Sequence, residues 1–499
     1  MRISKSRFME MFQCKKAGWL SIHQPELIES DSMTDDILKQ GTEIGDLARA
    51  IIGDYQLVEI VTDKAKMIKD TEDMIKSGVP ILAEASFSYN GCFCSTDILK
   101  VLDKDKKIID LYEVKSTTSI KSEHLVDMAF QYYVLTGVGY TIEHFYHVHI
   151  NADYEREEEL DISQLFSIEN AIPDIILNLP TIIDNVDDFK DTLDHYSEPN
   201  IDIGCQCHKP YDCPYFEYCT RNLPSPNVFD IKGKGITFAK KVELYSKGII
   251  SYEDILSRKP KINEQRMNEI RCAVEGTDLP VQMDKLKKFM KEFVYPINFL
   301  DFESYQNPIP EYYWQKPFIQ IPFQYSIHVL YEDGRLEHKE FIAPVGTDAR
   351  IQVRDRLIAD LSENEGSIVA YNAPFEKMVI KDLAEISPGL YAKLMRLRTR
   401  VLDLMVPFAN QWIYKNSFKG SYSIKYVLPG LFPDDEELNY HNLDTIQNGS
   451  IAMKVYQNMK NYTKEEQDLM FQRLYKYCGL DTFALVKVFL LLKSWCEES

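Results

Sequence analysis

The stretch "RNLPSPNVFD", residues 221–230, sets prolines at 224 and 226 among polar residues and interrupts every apolar period around it. Proline supplies no backbone donor, so such a stretch ends a folding unit rather than continuing one. At 499 residues the chain is also too long for a single ordinary core. The break therefore divides it into an α/β unit over residues 1–224, a small helical linker over 225–292 and a second α/β unit over 293–499. The linker is read from apolar residues at helical spacing in "AKKVELYSKG", "SYEDILSRK" and "MDKLKKFMKEF", the last with a lysine-rich, solvated face.

The second α/β unit opens on "INFLDFESYQ", residues 297–306, with two carboxylates one residue apart behind an apolar run. Residues two apart share a strand face, so Asp301 and Glu303 project together while Phe302 points the other way. Two such carboxylates repel unless a cation lies between them. A solvent-exposed strand end is the simpler reading of this pair taken alone. Further along, "SIVAYNAPFEKMVIKDL" reads as a strand, a polar turn and a helix carrying Glu376, and "YKYCGLDTFALVKVFLLL" as a helix with Tyr477 and Asp481 on one face.

These three stretches resemble the motifs of DEDD exonucleases of the tyrosine subclass, which have a ribonuclease H-like fold. Asp301 and Glu303 match the first motif, Asn372 and Glu376 the second, and Tyr477 and Asp481 the third; the family carries Asp where this chain has Glu376. Asp403, in "RVLDLM", is read as a supporting residue at a strand end. The resemblance implies that Asp301, Glu303, Glu376 and Asp481 hold two Mg²⁺ or Mn²⁺ ions roughly 4 Å apart for 3′-to-5′ phosphodiester hydrolysis. Tyr477 would orient the attacking water, since a free phenol, with a pKa near roughly 10, is a poor base at neutral pH. Phe302, Tyr371 and Phe375 are candidates to stack terminal bases.

In the first unit, "CFCSTDILKVLDKDKKIIDLYEVKSTTS" reads as two strands joined by a charged turn, with Asp97 on the first and Glu113 and Lys115 on one face of the second. A helix bearing Gln131, "DMAFQYYVL", follows. This order resembles the RecB-type PD-(D/E)XK nucleases, of restriction-endonuclease-like fold, which implies that Asp97 and Glu113 bind Mg²⁺, Lys115 steadies the attacking water or the charged phosphate and Gln131 helps orient DNA. The match departs in two places. Position 135 is Leu, leaving the glutamine motif incomplete with Tyr132 or Tyr133 as a loose substitute, and Gly45 stands where an upstream metal-binding His is expected. Glu84, in "ILAEASF", is the compensating acid. Active with altered ligation, or degenerate, are both open at this point.

Ten cysteines in a chain expected to be cytoplasmic are to be read for metal binding rather than disulfides. The cytoplasmic expectation rests on an N-terminus, "MRISKSRFMEMF", without a signal-peptide core, and on the lack of an apolar run near the roughly 20 residues of a membrane helix. One early cysteine, Cys14, and three late ones in "CQCHKPYDCPYFEYC", namely Cys207, Cys213 and Cys219, resemble the iron-sulfur subgroup of RecB-type nucleases, including the CRISPR-adaptation nucleases. That likeness implies a [4Fe-4S] cluster clamping the two ends of the unit, with Cys205 in reserve. Structural zinc is the competitor, though paired C-x₂₋₄-C spacing is lacking. The remaining cysteines are read as simple buried ones: Cys92 and Cys94 share a strand face near Asp97, while Cys272, Cys478 and Cys496 stand alone. His147 and His149, in "HFYHVHI", are read as half-buried strand histidines.

As a whole the chain resembles a bacterial family of uncharacterised proteins that fuse an iron-sulfur RecB-type nuclease to a DEDD exonuclease-like domain. The expectation is a metal-dependent nuclease that degrades or trims DNA, favouring single-stranded ends, in repair or in defence against foreign DNA. A net charge of -20 excludes a generally basic coat but not a local basic groove, and it suits protein partners as well. The alternatives are a nucleic-acid-binding scaffold or assembly factor with remnant nuclease folds, and an RNA-processing exonuclease.

Overall fold

The computed structural model describes residues 3–28 and 33–498 as a mixed α/β protein with two mixed sheets. Its backbone forms two compact units. One comprises Met1–Leu223 with Pro308–Phe318, and the other Pro224–Asn307 with Ile319–Ser499. The division at Leu223 lies in the proline stretch. The helices read above as a separate linker fall within the second unit, because Met283–Met290 buries Leu286 and Phe289 in that unit's main core. Lys285 and Lys288 on the same helix face solvent.

The first unit carries strands β1 (Ile3–Ser4), β2 (Gln56–Leu57), β3 (Ile81–Tyr89), β4 (Cys92–Asp103), β5 (Ile108–Lys115), β6 (Thr141–Ile150) and β7 (Phe166–Asn170). They lie in the order β2-β3-β4-β5-β6-β7, with β1 paired in parallel to the start of β4. Strand alternation sends Ile109 and Leu111 of β5 into a large core beneath the helices Lys5–Gln13, Ser122–Gly137 and Ile172–Asp194, while Tyr112 joins a smaller core on the other face with Ile44 and Ala48. Glu113 continues the Ile109–Leu111 row, so the same alternation that builds the core delivers a carboxylate beneath two helices. Phe8, fully buried, stacks on Phe130 at 4.5 Å and meets Phe189 at 5.2 Å, tying the first helix to this core. Truncating such a ring typically costs about 3–5 kcal/mol.

The segment 308–318 completes the smaller core with Ile309 and Phe318. It is held by Trp314 N to Arg156 O at 2.7 Å and by Arg156 Nη1 to Pro310 O at 2.8 Å.

The second unit has strands β8 (Ile297–Tyr305), β9 (Ile321–Leu330), β10 (Leu336–Ile342), β11 (Ile368–Ala370) and β12 (Val401–Asp403), in the order β10-β9-β8-β11-β12. The first three are antiparallel, and β11 runs parallel to both β8 and β12. All ten residues of β9 are buried, so its "IPFQYSIHVL" needs no polar face. The 35-residue helix Lys464–Glu498 crosses β8 and β9 and adds Leu485, Val488, Phe489 and Leu492 to the core. A smaller core under Val228, Leu244, Tyr252 and Ile270 joins the helices Phe238–Ser246, Tyr252–Arg258 and Glu264–Glu275. Among the described residues no helix is long and apolar enough to cross a membrane.

Candidate active sites

In the second unit, Asp301 and Glu303 stand at the centre of the sheet on β8, and the Lys464–Glu498 helix lays Tyr477, Cys478 and Asp481 against them. One cleft of about 1090 Å³ is lined by Asp301, Glu303, Tyr371, Lys425, Tyr440, Tyr477 and Asp481. Burial first, then the charges of Asp481, Glu303 and Glu376, push the Asp301 carboxyl well above its ordinary range. Burial and Asp481 do the same to Glu303, which is 7% exposed. Burial pushes Asp481 up to about 6, against the opposing effect of the Tyr440 and Tyr477 hydroxyls and the charge of Lys425. Among the described residues no ion pair reaches any of the four acids, and the Lys425 charge acts on Asp481 alone.

Glu376 arrives from the third element. In "YNAPFE" Asn372 takes a left-handed φ of 70°, Pro374 opens the helix Pro374–Glu385, and Glu376 lies in its first turn at 3% exposure. Its Oε2 has no hydrogen-bond partner, and burial with the nearby Asp403 charge pushes its carboxyl up to about 8. Asp403 is occupied otherwise: Oδ1 accepts from the amides of Asn372 and Met405, both at 3.0 Å, and so holds the turn that aims Glu376. Asp301, Glu303, Glu376 and Asp481 thus converge from three separate stretches of chain.

Two expectations are corrected here. Cys478 does not stand apart: its Sγ is 3.8 Å from Asp301 Oδ2, and one ligand atom each from Asp301, Glu303 and Cys478 lie within 4.8 Å of one another. Phe302 is not available to a base, being 4% exposed and packed edge-on against Tyr325 because it occupies the core face of β8. Tyr371 lines the cleft but spends its hydroxyl on Tyr422 O at 2.7 Å. The sequence reading missed Tyr440, whose hydroxyl donates to Asp481 Oδ1, and Lys425.

In the first unit the predicted residues also converge, but around lysines. Lys115 Nζ lies 2.7 Å from Glu113 Oε1 and 2.8 Å from Asp127 Oδ2, and Gln131 Nε2 donates to Glu113 Oε2 at 2.8 Å. Lys5 Nζ, unforeseen in sequence, reaches the same Glu113 Oε1 at 2.9 Å and Asp127 Oδ1 at 3.6 Å. Although burial opposes ionisation, the two ammonium groups with Gln131 hold Glu113 far below the usual carboxylate range. Asp97, whose Oδ2 accepts the Val114 amide at 2.7 Å, is pushed up to about 7 by burial and by the Glu113 charge. Glu84, at a φ of 57° in β3, pairs with Arg49 at 2.7 Å. A Cβ on Gly45 would sit 3.8 Å from the Arg49 guanidinium, so an arginine fills the space beside the position where a histidine was expected. Asp127 was legible in principle, being four residues before Gln131 on one helix.

Cys14, Cys207, Cys213 and Cys219 lie close to one another in this unit. Cys14 separates the helices Lys5–Gln13 and Lys15–His23, and it packs with Cys213 and Tyr218 against Trp19, Leu20 and Tyr215. Gln13 Nε2 donates to the carbonyls of Gln206 and Tyr211 at 2.8 and 2.7 Å, drawing the two stretches together. Burial raises the thiols of Cys207, Cys213 and Cys219, with Cys14 adding to each, while Cys205 is exposed. Cys92 and Cys94 are buried in the large core.

His147 and His149 are not half-buried but 0% and 5% exposed, because β7 covers β6 as an outer strand and His124 closes over them. His124 Nδ1 lies 2.9 Å from His147 Nε2, and His149 Nε2 lies 3.0 Å from Glu169.

Comparison with known proteins adds little chemistry. A domain of unknown function, DUF2779, matches residues 298–423, a span that holds Asp301, Glu303, Glu376 and Asp403 but ends before Tyr440. The uncharacterized protein UU173 of Ureaplasma parvum is 27% identical over 311 residues, covering 56% of this chain. The chain spans 42% of that relative's length. The crystal structure of SSO0001 aligns with 45% of this chain and 87% of its own at 14% identity, with a TM-score of 0.24, too loose to bear on the fold.

Proposed function

We propose that this chain is a metal-dependent nuclease whose second unit trims nucleic-acid ends from 3′ to 5′. The observation that carries the reading is that Asp301, Glu303 and Asp481 line one cleft beside Tyr477, with Glu376 close enough to act on Asp301 and no ion pair to any of the four acids among the described residues. The strand order β10-β9-β8-β11-β12, antiparallel on one side of β8 and parallel on the other, supports a ribonuclease H-like reading of this unit.

The acid set fits hard divalent ions: all four donors are carboxylates, Glu376 Oε2 lacks a partner, and burial first, with like charges second, raises carboxyls that a cation would return to their ionised form. Mg²⁺ or Mn²⁺ bound there supplies charge neutralisation at the phosphate and an acidified water. The chain's own groups do the rest. Tyr440 and Tyr477 fix the Asp481 carboxylate, and the Tyr477 phenol, raised by burial and the adjacent acids, keeps its proton and orients rather than deprotonates. Tyr371 and Lys425 line the approach available to a single-stranded end.

In the first unit, the Asp97, Glu113, Lys115 and Gln131 set supports a PD-(D/E)XK reading, and Cys14, Cys207, Cys213 and Cys219 are the residues that would hold a [4Fe-4S] cluster. A second reading, in which this unit binds nucleic acid without cutting it, is favoured by the lysines that already neutralise Glu113 and Asp127.

The test is a panel of end-labelled single- and double-stranded DNA and RNA incubated with anaerobically purified protein in Mg²⁺ or Mn²⁺, with iron and zinc measured on the same sample. Stepwise loss from labelled 5′-end substrates, dependent on metal, is expected. No turnover on any substrate would return both units to a scaffold role.

A further inference from the structure

We propose that Lys5 is a resident cation of the first unit, seated between Glu113 and Asp127 where a divalent metal would bind and displaced when one enters. The inference rests on reading that unit as a metal site. Its geometry is particular to this chain. Glu113, 1% exposed, has Oε1 shared by the ammonium groups of Lys5 and Lys115 at 2.9 and 2.7 Å, and Oε2 taken by Gln131 at 2.8 Å.

The charges explain the arrangement. Glu84, Asp97, Glu113 and Asp127 supply the negative groups; Arg49, Lys5 and Lys115 supply the positive ones. A buried acid cluster of this kind is tolerated only with compensating charge, and here most of it comes from the chain. A divalent ion bound to Glu113 Oε1 would lie within a few ångströms of the Lys5 ammonium, and at such separations like charges repel strongly in a buried site. Either the lysine leaves or the ion does not bind.

Of the two lysines, Lys5 is the one able to leave. Lys115 sits on β5 two residues from Glu113, so backbone alternation keeps it on that face. Lys5 reaches in from the first position of a helix, directly after the two-residue strand β1, and is not tied by strand alternation to the face that carries Glu113. Phe8, one turn on, keeps the helix itself docked on Phe130 and Phe189, so side-chain withdrawal does not require the helix to move.

The experiment counts Mn²⁺ bound to the full chain by electron paramagnetic resonance. An Asp301→Asn/Asp481→Asn background removes the second unit's site, and Glu113→Gln serves as the zero. Lys5→Met, which keeps length and removes charge, is expected to bind Mn²⁺ about tenfold or more tightly than either the parent or Lys5→Arg. Equal affinity in all three overturns the proposal and leaves the metal-site reading standing; binding in none of them overturns both. Should Lys5→Met fail to fold by thermal melting, the unmutated chain is tested by acetylation and mass spectrometry. Lys5 reactivity is expected to rise several-fold with saturating Mn²⁺, and unchanged reactivity overturns the displacement.

Discussion

In the first unit, Glu113 and Asp127 are bonded to two lysines, and Glu113 is held ionised far below its usual range. In the second unit, Asp301, Glu303, Glu376 and Asp481 meet with no ion pair among the described residues, and every one of their carboxyls is pushed up. The residue types are alike, and the balance of charge is opposite. A cluster that brings its own cations is stable as folded and resists an incoming metal. A cluster that brings none is under electrostatic strain until a cation, or protons, arrive.

The largest effect expected from this contrast is at Asp301. Asp301→Asn should lower metal-dependent 3′ trimming by at least about a hundredfold, while leaving the metal-free protein as stable as the parent or more so. End-labelled single strands and thermal melts read the two quantities. Trimming at the parental rate would erase the distinction between the units.

Next comes the response to losing one partner. Lys115→Ala removes one of two cations from a buried carboxylate and should destabilise the first unit by about 1–3 kcal/mol, discounted because the lysine is partly exposed and Lys5 remains. Glu376→Gln removes a carboxyl whose ionisation burial opposes and should be neutral or stabilising by up to about 1 kcal/mol. Urea unfolding of both variants, without metal, sharpens the comparison if the signs differ and breaks it if they agree.

The pH dependence of the two units should also differ, most clearly at acid pH. Glu376 and Asp481 have folded pKa values raised to about 8 and about 6, above the roughly 4 of an unfolded carboxyl. The folded state therefore binds more protons between those limits, and the metal-free second unit should lose stability as pH rises from about 4 to about 8. Glu113 is depressed, so its contribution is complete at neutral pH and is lost as pH falls below the ordinary carboxylate range. Asp97, raised to about 7, gives the first unit too a loss of stability as pH rises toward 7, so the distinguishing slope is that of Glu113 below the ordinary carboxylate range. Hydrogen exchange of peptides from each unit, extended from neutral pH into that acid range, should show the first unit alone losing protection there, and added Mg²⁺ should flatten the second unit's slope above it.

The smallest effect concerns Cys478. Its sulfur, 3.8 Å from the Asp301 carboxylate, offers thiophilic ions a soft donor that Mg²⁺ does not use. Cys478→Ala should leave Mg²⁺-supported trimming within about twofold and weaken inhibition by Zn²⁺ or Cd²⁺ several-fold. Unchanged inhibition would show that the thiol only packs.

What could be read along the chain was local geometry. Period two put Asp301 with Glu303 and Glu113 with Lys115, and the helical repeat put Tyr477 with Asp481, because backbone dihedrals alone decide which neighbours share a face. The proline stretch at 224–226 likewise marked where one unit ends. Tertiary structure decided everything that balances those groups. Lys5 meets Glu113 across 108 residues only because β1 pairs with β4 and Phe8 docks the following helix. Tyr440 and Cys478 reach the acids through the crossing of the Lys464–Glu498 helix, and the residues 308–318 join the first unit although the chain around them belongs to the second. Such partners depend on strand order and on which helix covers which strand. These are set by burial of the whole apolar surface, a non-directional force that no short window of sequence contains.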